Sequence, residues 1–428
     1  MRLERRADVA TSLRDIDAGV IAALVALKVA AMLWALHSGF AQVSDDDYAR
    51  TVIAQTFAHA PKLDPSGTSW LPFPFWLYGG LMMIFGRSLT AARAIAFVLG
   101  ALAPAIPYAG LRSMQIARIP AMAGAALAAL TPWSVWLGLA PVPEGWAGAC
   151  AAAALFFLAG ERAKVAAVLA LVASLSRYET WPVAAFVAVV CATRVRRDRA
   201  SIIAAFVALA GVAFWIVNNA LAHGDPLHFL ARVAAFRRAN GAATLTIAQR
   251  VAEYPLALVH DAPEIAAFAA VAAGVASRDR ELRARWVLPL AGAACVLAFL
   301  IYGDLRDGAP THHAARALVP IFGVLAGFAA DAVVTPSRPR VAVPVAVATL
   351  AFVLFRTRAV PGASPSERRD AQIARGRELA KTATSLDVTP CAYEHFALIA
   401  AFGAPERVSI EARSGQPVTA DCPDVTTR

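Results

Sequence analysis

Hydrophobic residues along this chain form long runs that are interrupted by short charged stretches. The runs span residues 18–38, 73–85, 91–111, 119–139, 146–159, 165–175, 181–192, 201–221, 265–276, 286–302, 317–334 and 341–355. A helix needs roughly 20 apolar residues to cross a bilayer, and the runs are near that length or somewhat shorter. Backbone groups in lipid must be hydrogen-bonded internally, and the runs are too long for barrel strands. The pattern therefore predicts an all-α, polytopic helical membrane protein with about 11–13 transmembrane helices.

The composition agrees with a membrane protein. Hydrophobic residues make up 59% of the chain and charged residues 16%, against about 25% charged in soluble domains. The net charge is +10, which in a soluble protein would raise the question of a nucleic-acid partner. Here the arginines sit between apolar runs, as in the cytoplasmic loops of membrane proteins, so no nucleic-acid partner is expected.

Clusters of arginine predict the orientation of the chain. Three basic loops are expected to be cytoplasmic, and they contain Arg194, Arg196, Arg197 and Arg199, then Arg278, Arg280, Arg283 and Arg285, then Arg338 and Arg340. Residues 223–253, 303–316 and everything after 355 then face outward. The basic N-terminus places a first outer loop, residues 39–72, on the same side.

In the first half of the chain, the number of apolar runs does not agree with the predicted orientation. An odd number of crossings must separate the first outer loop from the basic loop at Arg194, but an even number of apolar runs lies between them. One run must be re-entrant or split. Run 119–139 is a candidate for a split because Pro132 lies inside it. Residues 254–259 can extend the run that begins at 265.

The tail is predicted to be a separate small domain. We expect a transmembrane catalytic domain over 1–355 and an extracytoplasmic C-terminal domain, α/β or irregular, over 356–428. Residues 372–386 look helical, whereas 396–402 and 408–410 fit strand or helix. Cys391 and Cys422 can form a disulfide if the tail faces an oxidising compartment, which would close a loop of about 30 residues.

Three consecutive acids, Asp45, Asp46 and Asp47, follow the first apolar run. Acids beside a membrane helix are costly, which makes them candidates for function. They also suit the positive end of a helix, so simple capping is the alternative. An interfacial helix that starts here would carry one apolar face, with Tyr48, Val52, Ile53 and Phe57.

Other charges stand out against the apolar background. Glu144 lies between Pro143 and Gly145, and Arg177 and Glu179 lie between two short runs. Such charges pair with each other or line a wet cavity, and the sequence does not decide between these roles. Lys62 can reach a phosphate. The outward arginines are candidates for binding a phosphate, with headgroup contact as the alternative: Arg232, Arg237, Arg238, Arg306 and Arg316. The outward histidines are candidates for a ligand or an acid, with an ordinary surface position as the alternative: His223, His228, His312 and His313.

Several short motifs occur in a familiar order. They are the acids at 45–47, Trp70-Leu71-Pro72-Phe73-Pro74, Phe85-Gly86-Arg87-Ser88 with Arg93, Thr131-Pro132-Trp133, Pro143-Glu144, Ser176-Arg177-Tyr178-Glu179-Thr180-Trp181, Gly224-Asp225-Pro226-Leu227, and the stretch from His313 to Pro320. In this order the chain, over residues 15–355, resembles the GT-C superfamily of polytopic glycosyltransferases, which includes protein O-mannosyltransferases and aminoarabinose transferases. Members often carry Asp-Glu or Asp-Asp, so the triple Asp departs from the pattern.

The resemblance implies an inverting transferase in a bacterial inner membrane, with the acidic loop and the tail on the periplasmic side. The donor would be a sugar on a polyprenyl phosphate, and the acceptor a lipid, glycan or protein hydroxyl. We expect Asp46 to be the general base, with Asp47 and Asp45 as alternates. The expected substrate-binding residues are Lys62, Glu144, Arg177, Glu179, Arg237, His313 and Arg316.

The resemblance leaves the need for a cofactor open. A divalent cation, Mg²⁺ or Mn²⁺, held by Asp46 and Asp47 is an open alternative, because hard oxygen ligands suit these ions. A second hypothesis for the function is a transporter or flippase, in which the acids bind ions or protons. It predicts paired half-sequences and broken helices near the bilayer midplane, and the sequence has no such pairing. A third is a membrane scaffold whose tail binds a partner.

Overall fold

The computed structural model describes residues 18–67, 69–194, 199–239, 245–306, 314–334, 339–361, 368–389, 395–410 and 425–427, with side chains except at 236–239, 339–347 and 426–427. Helices make up most of this part of the chain. In its first half they are α1 (Ala18–His37), α2 (Asp46–His59), α3 (Phe73–Phe85), α4 (Leu89–Leu102), α5 (Ala105–Ser113), α6 (Arg118–Leu130), α7 (Pro132–Leu139), α8 (Glu144–Ala159), α9 (Ala163–Ser174) and α10 (Trp181–Thr193). They continue with α11 (Ala200–His223), α12 (His228–Ala239), α13 (Ile247–Asp261), α14 (Pro263–Ala276), α15 (Arg280–Leu305), α16 (Val319–Val333), α17 (Pro339–Arg356), α18 (Asp370–Thr382) and α19 (His395–Phe402).

Several of these helices can cross a bilayer. Within the described residues, the segments that are long and apolar enough are Ala18–His37, Leu89–Ser113, Ala200–His223, Arg280–Leu305 and Ala314–Val333. Two helix pairs, α6–α7 and α13–α14, pass the same test together but are bent by 67° and 98°. Shorter apolar helices accompany them at Phe73–Phe85, Glu144–Ala159, Ala163–Ser174 and Tyr178–Thr193. The prediction of a multi-pass helical membrane protein is confirmed.

The break between α6 and α7 divides run 119–139, which was the candidate for a split. Pro132 has no N–H to donate to the Ala128 carbonyl, four residues earlier. The Thr131 hydroxyl donates to that oxygen instead, at 3.2 Å. Lys28 of α1 lies in the same place, and its ammonium donates to the carbonyls of Ala129 at 2.7 Å and Ser134 at 2.6 Å. The break is therefore held by side chains that replace the missing backbone bonds.

The second bend changes a sequence-based expectation. Residues 254–259 lie in α13, and the run that begins at 265 lies in α14. Because the two helices meet at 98°, α13 does not lengthen α14 into one straight span.

Helix α8 is the centre of the membrane part. Its residues from Ala151 to Leu158 are all buried, as expected for a helix surrounded by protein on every side. It packs against α5, α9, α15 and α16. The first residue of this central helix is Glu144, so the packing of the bundle fixes the position of that carboxylate.

The C-terminal segment is a small α/β unit, as predicted. Helices α18 and α19 pack against each other, beside strands β1 (Leu386–Val388), β2 (Val408–Ile410) and β3 (Val425–Thr427). The sheet order is β2-β1-β3, with β1 parallel to β2 and antiparallel to β3. Region 396–402 is therefore helix and 408–410 strand. Cys391 and Cys422 lie outside the described residues, so their disulfide stays a prediction.

The apolar face of α2 is covered by protein. Tyr48 and Val52, which were expected to face the membrane surface, pack with Ile373, Ala397 and Ala400 of the C-terminal segment. That expectation was wrong because the tail supplies a protein surface that buries this face. Helix α2 thus lies between α3 on one side and α19 on the other.

Candidate functional site

The three consecutive aspartates point in three directions. Successive residues of a helix are about 100° apart around its axis, so neighbours at its first turn face different surroundings. Asp45 does not cap α2 with its side chain. Its two carboxylate oxygens instead accept hydrogen bonds from Nε and Nη2 of Arg369, both at 2.9 Å. Asp45 therefore joins α2 to the C-terminal segment.

Asp46 and Asp47 differ sharply in burial. The Asp46 side chain is 43% exposed and lies 3.5 Å from Nη1 of Arg316. Asp47 is buried, its Oδ2 accepts the Val43 N–H at 2.9 Å, and its Oδ1 has no hydrogen-bond partner. Burial raises the pKa of Asp47 to about 7, although the Val43 N–H and the charge of Arg316 act in the opposite direction. Asp46 is thus the accessible carboxylate, and Asp47 is a buried one that holds a proton readily.

A ladder of alternating charges begins at Asp46. Arg316 contacts both Asp46 and Oε1 of Glu144, the latter at 2.6 Å. Arg177 contacts the same Oε1 at 3.0 Å and Oε1 of Glu179 at 2.7 Å. The order is Asp46, Arg316, Glu144, Arg177 and Glu179. The structure therefore brings together four of the predicted substrate-binding residues and the predicted base.

Short irregular segments present this ladder. Arg177 precedes a 3-10 turn, Tyr178–Thr180, and Arg316 lies in another, Ala314–Leu318. The first turn is anchored because the Tyr178 hydroxyl donates to the Ser69 carbonyl at 2.6 Å and accepts from the Trp215 indole at 2.8 Å. The Tyr178 ring also stacks on Phe229, with centroids 4.8 Å apart. This anchoring fixes the place from which Arg177 reaches Glu144.

Arg50 is an additional cation beside the ladder. It follows Asp46 by four residues, which places both on one face of α2. Its guanidinium lies 4.4 Å from the ring centroid of Trp70, a cation–π arrangement. Arg50 is buried, and its Nε has no hydrogen-bond partner. Burial lowers the pKa of Arg50, whereas the charges of Glu144 and Asp46 raise it, so this cation depends on its acidic neighbours.

Buried polar atoms without partners are concentrated in this region. Within the described residues they include Asp47 Oδ1, Arg50 Nε, Glu144 Oε2 and Arg316 Nε. A buried polar group left unpaired costs about 1–3 kcal/mol, so such a concentration is unusual in a merely structural network. The site combines unsatisfied guanidinium donors, which suit an anion, with an accessible carboxylate, which can accept a proton.

The acids do not fit a ready-made cation cage. The described residues contain no group of three His, Cys, Asp or Glu side chains placed to hold a metal ion. Oxygens of Asp46 and Glu144 face Arg316, and Asp47 Oδ2 is taken by a backbone N–H. A cation at Asp46 and Asp47 would have to displace these donors. The metal role of the two acids stays a prediction.

The remaining predicted residues do not join the cluster. Lys62 is exposed on the loop after α2 and takes no part in the ion pairs described above. Arg232, Arg306 and His223 are exposed as well, and His228 is half-buried. The side chains of Arg237 and Arg238 and the whole of His312 and His313 lie outside the described residues, so their roles remain untested.

The sequence interpretation gave no role to three residues that the structure makes prominent. Arg50 could have been found from the sequence, because it follows Asp46 by four residues and so lies on the same face of a helix. Lys28 could have been found too, because a lysine in the middle of an apolar run must be paired or lie in a wet cavity. Arg369 could not, because its contact with Asp45 joins residues 324 positions apart.

Comparisons with known proteins place the fold. The sequence matches no family model and no curated protein. Among solved structures, the chain is similar to ArnT from Cupriavidus metallidurans bound to undecaprenyl phosphate, at 14% identity and TM-score 0.57, covering 92% of this chain and 90% of that one. The apo state of the same ArnT gives 15% identity and TM-score 0.56, covering 92% and 88%. The archaeal oligosaccharyltransferase AglB from Archaeoglobus fulgidus has 12% identity and a TM-score of 0.49, and the match covers 82% of this chain and 57% of that one.

The class that these observations define is a polytopic membrane protein with the GT-C fold. The resemblance inferred from the order of the motifs is therefore confirmed at the level of the fold.

Proposed function

We propose that this protein is a membrane glycosyltransferase that moves a sugar from a polyprenyl-phosphate donor to an acceptor hydroxyl at the outer face of the bilayer. The observation that carries the proposal is Arg50, a buried guanidinium with an unpartnered Nε, one helical turn from the accessible Asp46. A lipid phosphate supplies the anion that such a guanidinium lacks. The similar ArnT was solved bound to undecaprenyl phosphate, which supports this class of donor.

The proposed chemistry uses the carboxylate of Asp46 and the guanidinium groups of Arg50 and Arg316. The acceptor oxygen attacks the anomeric carbon, and its proton passes to the Asp46 carboxylate. The bond between that carbon and the phosphate oxygen breaks, and its electron pair stays on the phosphate. Attack from the side opposite the leaving group inverts the anomeric configuration. The charge that develops on the phosphate is stabilised by Arg50 and by Arg316, which carries a second unpartnered Nε.

Glu144 has a supporting role in this scheme. Arg316 and Arg177 both bind its Oε1, so it holds two guanidinium groups at fixed positions before the donor arrives. Fixed charges in a site that excludes water need little reorganisation during the reaction. Glu179 holds Arg177 from the other side, at 2.7 Å.

The direct test is transfer by the purified protein in lipid nanodiscs. We would supply a panel of undecaprenyl-phosphate sugars that carry a label on the sugar, with a membrane extract as the source of acceptor. The label is then measured in the remaining donor and in the acceptor. Asp46→Asn keeps the size of the side chain but removes the base, so transfer should fall by a factor of about 10²–10⁴.

Asp225→Asn is the matched control. Asp225 is also on a loop predicted to face outward, and its Oδ1 accepts the Leu227 N–H at 2.9 Å, which an asparagine oxygen can still do. It should transfer at the wild-type rate. Full activity of Asp46→Asn, or no transfer from any donor of the panel by the wild type, would reject the proposal.

A transporter or flippase is the second candidate. The two bent helix pairs favour it, because broken helices are a feature of transporter binding sites. A flippase would move the intact lipid-linked sugar across a vesicle bilayer without breaking its phosphate–sugar bond. The two functions are separated by measuring the intact donor in each leaflet and the free polyprenyl phosphate. A flippase changes the distribution of the donor, whereas a transferase releases polyprenyl phosphate.

A further inference from the structure

We propose that Arg369 is a positioning residue, through which the C-terminal segment sets the orientation of the first turn of α2 and thereby of Asp46. The proposal rests on the function assigned to Asp46 above. It gives Asp45 a role as the partner of Arg369 rather than as an alternate base. It also means that the C-terminal segment contributes to the geometry of the site.

The contact between Asp45 and Arg369 has the geometry that fixes an orientation. Both carboxylate oxygens accept a hydrogen bond from the same guanidinium at 2.9 Å. Such a paired arrangement restricts rotation as well as distance, unlike a single ion contact. The side chains are 21% and 9% exposed, so water competes weakly for the bonds. Asp45 is adjacent to Asp46, and any turn of its backbone turns Asp46 too.

The same interface has a second ion pair that allows a matched comparison. Arg87, in the turn between α3 and α4, donates from Nη1 and Nη2 to both oxygens of Glu406, each at 2.9 Å. Near it, Gln55 of α2 donates to the carbonyls of Arg87 and Ala400. Gln55 lies ten residues after Asp45, roughly 15 Å along the helix. The two pairs are alike in chemistry but attach the C-terminal segment at opposite ends of α2.

This difference separates positioning from mere attachment. If the ion pairs only attach the C-terminal segment, breaking either one should affect the protein in the same way. If the Arg369 pair positions the acids, only its loss should change the chemical step. A displacement of about 1 Å at a reacting group can cost as much as a hundredfold in rate.

The experiment compares Arg369→Met with Arg87→Met in the full-length protein in nanodiscs. We expect kcat to fall by about tenfold or more in Arg369→Met, with KM for the donor little changed. Arg87→Met should retain kcat even if its thermal stability is lower. Arg369→Lys keeps the charge but loses the paired geometry, so its kcat should lie between those of Arg369→Met and the wild type.

A second readout does not depend on activity. Asp46→Cys serves as a reporter, and its labelling by a polar thiol reagent is followed at residue 46 by peptide mass spectrometry. Adding Arg369→Met should change the labelling rate, and adding Arg87→Met should not. If Asp46→Asn proved fully active, the proposed function would fail, but this reporter would still decide whether Arg369 positions the turn.

The charge exchange covers the case in which Arg369→Met does not fold. Asp45→Arg alone should lower kcat, and Asp45→Arg with Arg369→Asp should recover part of it by restoring an opposite pair. Equal loss of kcat in Arg369→Met and Arg87→Met, unchanged labelling at residue 46, or no recovery in the exchanged pair would each overturn the proposal.

Discussion

Lys28 and Arg50 are two equally buried cations with opposite surroundings. Lys28 is 3% exposed and Arg50 is 4% exposed. The Lys28 ammonium donates to two carbonyls at the α6–α7 break, whereas Arg50 rests on the Trp70 ring and its Nε has no partner. Burial of a charge is therefore a weak sign of function by itself. What separates the two is whether the protein already satisfies the donors.

The comparison predicts opposite consequences for removing each cation. Lys28 should contribute to the stability of the helix break and have little direct part in the chemistry. Arg50 should contribute to binding an anion and little to stability, because an incompletely paired buried charge costs desolvation energy. Substitutions at Arg50 and Lys28, each with a matched control, test this difference.

The largest effect is expected for Arg50→Met. Loss of the guanidinium should weaken donor binding by about 3 kcal/mol, roughly a hundredfold rise in the Kd for a polyprenyl phosphate. The melting temperature of the ligand-free protein should stay the same or rise. Binding is measured by titration of the lipid phosphate into nanodiscs, and stability by thermal unfolding.

Arg358→Met is the matched control for Arg50. Arg358 lies 4.8 Å from the ring centroid of Trp34, so it makes the same kind of cation–π contact outside the site. Its loss should leave lipid-phosphate binding intact. If Arg50→Met bound the lipid phosphate normally and lost stability, Arg50 would be a structural residue like Lys28.

A smaller effect, on stability, is expected for Lys28→Met. The carbonyls of Ala129 and Ser134 would lose this donor, and an unsatisfied buried group costs about 1–3 kcal/mol. We expect the melting temperature to fall while kcat per folded molecule changes little. Lys164→Met, at an exposed lysine near the start of α9, makes the same chemical change and should have no effect on melting. Equal melting temperatures for the two variants would show that Lys28 does not hold the break.

The smallest effect is expected for Asp47, and it is a change in the free energy of unfolding per unit of pH. The pKa of this carboxyl is raised from its ordinary 3.8 to about 7 by burial, so between these values the folded protein binds a proton that the unfolded chain has released. Its contribution to stability should decline as the pH rises from about 4 to 7, by at most about 1.4 kcal/mol per pH unit, and then level off. Unfolding of wild type and Asp47→Asn across this range measures the difference.

Asp47→Asn should flatten this part of the pH dependence because asparagine does not titrate. Asp225→Asn should keep the wild-type slope, since Asp225 is exposed. An unchanged slope in Asp47→Asn would mean that the pKa of Asp47 is not raised in the folded protein.

Local features of the sequence predicted much of the membrane part. Pro132 made run 119–139 a candidate for a split, because proline has no N–H for the helix hydrogen bond. Glu144, Arg177 and Glu179 stood out as charges among apolar residues, and the structure joins them in one ladder. Signals of this kind belong to the residue or to its nearest neighbours.

Features that depend on distant contacts were not predictable in the same way. Three adjacent aspartates look equivalent in the sequence, but Asp45 meets Arg369, Asp46 meets Arg316 and Asp47 is enclosed by its own loop. The apolar face with Tyr48 was assigned to the membrane surface because nothing in the sequence shows that the tail folds back onto it. Both features arise from tertiary packing.

The arrangement at the start of α2 also has a consequence for how such chains can diverge. Exchange of one acid for another at positions 45–47 leaves each in its place, and should be mild. Loss or gain of a single residue just before the helix would instead move each carboxylate into the surroundings of its neighbour. The accessible carboxylate, which is the proposed proton acceptor, would then lie in the protein interior. In related chains, therefore, gaps should be rarer than substitutions over this short stretch.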